Sequence, residues 1–158
     1  MSRDDRLPRY EMALTSLVAL VLAIVPLPFP LDVLRPDFLV LVVLYWSIRA
    51  PRAGGLMLAF LAGLSIDVVQ GMVLGQHAFA LVLIAAWATQ VRLRVRVFSL
   101  IQQSLTVFAF LVGYQFVLFW IDGATGNPVT SFGRWLAPVT GALLWPVLTG
   151  LLDRLDRR

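Results

Sequence analysis

Six apolar, uncharged runs follow one another along the chain, the fourth with His77 inside it. They cover Met12 to Leu31, Phe38 to Ile48, Ala53 to Ile66, Val68 to Val91, Val97 to Ile121 and Trp135 to Leu152. A helix of about 20 apolar residues crosses a bilayer, and in hydrocarbon only a helix or a closed barrel satisfies its own backbone. The 158 residues are 59% hydrophobic and 14% charged, whereas soluble domains are about half apolar and a quarter charged. Five or six spans therefore fill the chain and leave no room for a soluble domain. The stretch from Met12 is too long for a signal peptide and lacks a small-residue cleavage site, so it reads as a retained first span.

The second run, of only 11 residues, is short for a span, and the distribution of arginine decides how to treat it. If all six runs cross, the N-terminal side receives Arg3, Arg6, Arg9, Arg49, Arg52, Arg92, Arg94, Arg96, Arg154, Arg157 and Arg158, and the other side only Arg35 and Arg134. That is a positive-inside pattern. The expected fold class is an all-α, polytopic membrane helix bundle in a single domain, 1–158, with N and C termini cytoplasmic. Its six transmembrane helices lie at about 11–31, 36–49, 53–71, 74–91, 97–121 and 134–152. The expected location is the bacterial cytoplasmic (inner) membrane. Tyr10, Tyr45, Trp46 and Trp87 on one side, with Trp120 and Trp135 on the other, suit an interfacial aromatic belt, while Trp145 falls mid-span and suits packing between helices. Gly123, Gly126, Asn127, Pro128 and Gly133 mark a turn between the last two spans.

Net charge is +4, but the basic residues are scattered between apolar runs, which argues against nucleic acid. Cysteine is absent, excluding disulfides and thiolate chemistry. His77, the one histidine, reads as structural. Gly63-Leu64-Ser65 has Asp67 where a nucleophile elbow needs glycine. No metal motif or phosphate loop appears. An enzyme, a metal site and a cofactor are not expected.

Counting helix rise from Arg49 puts Arg35 and Asp37 roughly 18–21 Å inward, and counting from Ala53 puts Asp67 at the same depth, inside a core of about 30 Å. Charges at that depth usually face the bundle interior and pair. The expected intramembrane polar cluster is Arg35, Asp37, Asp67 and His77, with Arg35 paired to Asp67 and Asp37 in the first turn of the second helix. The alternative is a plain helix start at a thinned interface with Asp67 snorkelling. Gly55, Ala59, Gly63, Gly71 and Gly75 share an i+4 register with Asp67, a small-residue stripe suited to close helix packing. Gln102 and Gln103, near the cytoplasmic end of the fifth span, are placed to hydrogen-bond across helices or to form an ordinary interfacial polar patch.

Arg35-Pro36-Asp37-Phe38 leading to Tyr45-Trp46, then Gly55, Phe60, Gly63-Leu64, Asp67, Gly71, Leu74-Gly75 and His77-Ala78, then Gln102-Gln103, together resemble the rod shape-determining MreD family. The specific part lies between 35 and 103; beyond Val107 the match is one of hydropathy and length. The resemblance implies a non-enzymatic scaffold subunit of the elongasome, supporting lateral peptidoglycan synthesis and rod shape. The implied partners are MreC and, in the wider complex, RodA, the elongation penicillin-binding transpeptidase and MreB, with membrane lipid around the bundle. The family fold is similar to that of the substrate-binding component of energy-coupling-factor transporters. A second hypothesis follows, in which the polar cluster binds a small anionic or zwitterionic solute and Ala19 and Ala23 face a coupling subunit.

Overall fold

The computed structural model describes residues 7–26, 28, 34–50, 55–71, 73–126 and 132–156. Their regular structure is helical: α1 (Leu7–Ile24), α2 (Phe38–Arg49), α3 (Gly55–Gln70), α4 (Gln76–Val95), α5 (Leu100–Thr125), a 3₁₀ helix (Phe132–Leu136) and α6 (Ala137–Asp156). Expectations that fell on Arg3, Arg6, Arg52, Asn127, Pro128, Arg157 and Arg158 lie outside the described residues.

Proline and glycine set the helix ends. α1 stops at Ile24, short of Leu31, because Pro26 and Pro28 lack N–H donors and the residue before a proline is pushed out of the α region. Pro51 does the same to Ala50, which leaves the helix at φ −133°. α4 runs past Val91 through Arg92 and Arg94 to Val95, where guanidinium groups suit a helix C-terminus. Ser99 and Gln102 close a reciprocal capping box at the start of α5, satisfying two otherwise orphaned N–H groups.

α2 is the core. Every residue from Leu39 to Ile48 is buried, because α1, α3, α4 and α6 all pack on this one helix. A helix that is apolar all round needs neighbours on every side. This placement overturns the aromatic-belt reading for Tyr45 and Trp46, each 1% exposed. Their polar tips are satisfied inside the bundle, Tyr45 donating to Asp153 at 2.6 Å and Trp46 to Thr15 at 2.9 Å. Tyr10, Trp87 and Trp120 do face outward. Trp145 is buried between helices and its indole N–H points at Gln103.

The bundle has its polarity reversed relative to a soluble protein. Leu17, Met57, Leu83, Leu105, Leu143 and Val147 are exposed, while Ser47, Asp67, Gln76 and Asp122 are buried. An apolar exterior around a polar interior suits a hydrocarbon solvent. Gln76–Val95, Leu100–Thr125 and Gly133–Arg154 are long and apolar enough to cross a membrane, and α1 to α3 are apolar but shorter.

Candidate functional site

The small-residue stripe brings α3 against α4, its most extensive partner. A Cβ on Gly63 would sit 2.3 Å from Ala78 Cα, so only glycine permits this approach of the two backbones. Gly55 faces α2 more loosely, at 3.5 Å from Ser47 Cα, and Ala59 is fully buried. Gly55, Ala59 and Gly63 are consumed by packing within the chain, whereas Gly71 is exposed and Gly75 half-buried. Gly71 and Gly75 both adopt positive φ in the α3–α4 turn.

This close approach delivers Asp67 to the N-terminus of α4. Gly75, at φ +96°, occupies the N-cap position and has no side chain to cap with. Asp67 supplies the missing acceptor. Its Oδ2 accepts from Gly75 N–H at 2.8 Å, and its Oδ1 accepts from His77 N–H at 3.0 Å and contacts His77 Nδ1 at 2.8 Å. Ala78 N–H lies at 3.5 Å. A carboxylate here meets both the orphan donors and the positive end of the helix dipole. The facing carboxylate also selects the imidazole tautomer that carries its proton on Nδ1.

The expected Arg35–Asp67 pair does not form. Arg35 donates to the Leu22 carbonyl on α1, while Asp67 is fully engaged by 75–78. Asp37, at the N-cap of α2, makes no cap hydrogen bond; its Oδ2 instead accepts from Gln115 of α5 at 2.9 Å. The helices turn these side chains toward different neighbours.

Two further carboxylates lie outside the cluster read from sequence. Asp122 of α5, 3% exposed, accepts from Gln76 of α4 and from Arg134 of the 3₁₀ helix, the latter at 2.6 Å. Asp153 of α6 binds Tyr45 and, at 3.0 Å, Arg49 of α2. Each directly follows an uncharged run of 18 residues or more, and that position was the available signal. Gln102 stays local in its capping box, whereas Gln103 links α5 to Trp145 of α6. Among the described residues no group of His, Cys, Asp or Glu is arranged to hold a metal.

At the end of the bundle where α3 finishes, all six helices and the 3₁₀ helix contribute to a cavity of about 610 Å³. Its polar lining includes Arg35, Asp37, Gln70, His77, Gln115 and Arg134. His77 and Tyr114 meet at a ring separation of 6.3 Å.

A family model described as rod shape-determining protein MreD matches residues 6–155. Rod shape-determining protein MreD of Haemophilus influenzae is 32% identical over 144 residues, covering 89% of this chain and 87% of that protein. No solved structure matches.

Proposed function

The chain belongs to the rod shape-determining MreD family, and from that premise we propose that it is a non-enzymatic scaffold subunit of the elongasome. In this reading it lies in the inner membrane as one six-span domain with cytoplasmic termini and binds MreC. Through MreC it joins RodA, the elongation transpeptidase and MreB in supporting lateral peptidoglycan synthesis. One observation carries the proposal: Asp37, Asp67, Asp122 and Asp153 each tie their own segment to another helix. The charges are spent on making the bundle rigid, and its apolar exterior is left for association. Because Gly55, Ala59 and Gly63 are buried within the chain, the partner's span would dock on that exterior.

The transporter alternative draws no support from the relatives, and Ala19, offered as part of a coupling face, is buried at 3% exposure.

Two experiments test the proposal. A tagged chain captured from native membranes in mild detergent should retain MreC, and recovery of an ATPase pair in its place would refute the scaffold. The sequence has no cysteine, so single cysteines report sidedness directly. Ala124→Cys should react with an impermeant maleimide applied from outside, and Val97→Cys should react only after the membrane is opened. The reverse order would refute the assigned orientation.

A further inference from the structure

The cavity has a charge pattern that the scaffold role does not use. Gln115 is 6% exposed and donates its Nε2 to Asp37, which leaves its Oε1 buried without a hydrogen-bond partner. The amide oxygen and nitrogen share one carbon, so this oxygen lies beside the Asp37 carboxylate. Gln115 Nε2 is thus the donor that Asp37 receives from α5, while the amide oxygen beside it has none. Among the described residues no basic side chain forms an ion pair with Asp37. Leaving a buried acceptor unmet is costly, because it loses its water without gaining a donor. The group that fits is a cation with several N–H donors. Arg134, on the same lining, commits Nη1 to Asp122; a guanidinium carries five N–H donors and suits phosphate.

We infer that this cavity is a binding site for a zwitterionic head group, its primary ammonium held by Asp37 and Gln115 and its phosphate facing Arg134. The ethanolamine phospholipid head group has this chemistry, as does free phosphoethanolamine. The inference rests on the bundle lying in a bilayer and is independent of which protein it binds. Choline provides a sharp control: its quaternary ammonium carries the same charge but no N–H, so it cannot satisfy the Gln115 oxygen.

The test is native mass spectrometry of the full chain in dodecyl maltoside, titrated with ethanolamine and choline phospholipids of identical acyl chains. The parent should prefer ethanolamine at least about tenfold, equivalent to about 1.4 kcal/mol. Gln115→Met, similar in volume, should reduce the preference to within about twofold. Equal retention of the two lipids by the parent would overturn the inference without recourse to any variant, as would an undiminished preference in Gln115→Met. Displacement by millimolar free phosphoethanolamine assigns the site to a soluble zwitterion, and persistence of the bound lipid assigns it to the membrane; both uphold the head-group chemistry. Capture of MreC is a separate readout, so absence of the lipid preference in the parent chain with MreC still bound would sink this inference alone.

Discussion

Asp67→Ala is the most informative perturbation of this bundle, because one carboxylate holds the α3–α4 turn closed. The substitution removes the acceptor for Gly75 N–H, His77 N–H and His77 Nδ1, all within 3.0 Å. Hydrogen bonds between membrane helices average about 0.6 kcal/mol each, which puts the three near 2 kcal/mol. The stranded donors raise the cost, since a buried group left unpaired loses about 1–3 kcal/mol. The expected destabilisation is therefore about 2–5 kcal/mol. Asp67→Asn keeps one accepting oxygen but turns an NH₂ toward an N–H donor, so it should cost about half as much. Unfolding in mixed micelles by titration with sodium dodecyl sulfate, followed by tryptophan fluorescence, measures both. Coupling sharpens the test. Asp67→Ala and His77→Ala share a contact and should combine less than additively by about 1 kcal/mol, whereas Asp67→Ala and Arg35→Leu should add to within about 0.5 kcal/mol. An Asp67→Ala cost below about 0.5 kcal/mol, typical of an inconsequential surface change, would refute the capping role.

The same unfolding assay separates two glycines of one stripe. Gly63→Ala forces a Cβ to 2.3 Å from backbone atoms and should cost more than about 2 kcal/mol, while Gly55→Ala, at 3.5 Å, should stay within about 1 kcal/mol. Tyr45→Phe deletes the hydroxyl donor to Asp153 and should cost about 1 kcal/mol with the ring packing retained. Asp122→Leu and Arg134→Leu each strand a partner of the 2.6 Å ion pair; the double variant should be less destabilised than the sum of the singles, as a double-mutant cycle will show.

Much of this protein was legible in its chain order. Six apolar runs became six helices because hydrocarbon leaves the backbone no partner but itself, and the proline and glycine punctuation placed most of their ends. The i+4 stripe of small residues on α3 was readable as a close packing face, since Gly63 tolerates nothing larger. What the sequence could not state was direction around each helix axis and the order in which the helices pack. Asp67 therefore met the amides at 75–78 where Arg35 was expected, and Asp37 met Gln115 from 78 residues away. Tyr45 and Trp46 suited an interfacial belt by position, yet α2 is enclosed on every side. Hydropathy along a membrane chain encodes position along the bilayer normal, because crossing the solvent gradient is what it measures; which neighbour stands at a given depth is decided only when the helices pack.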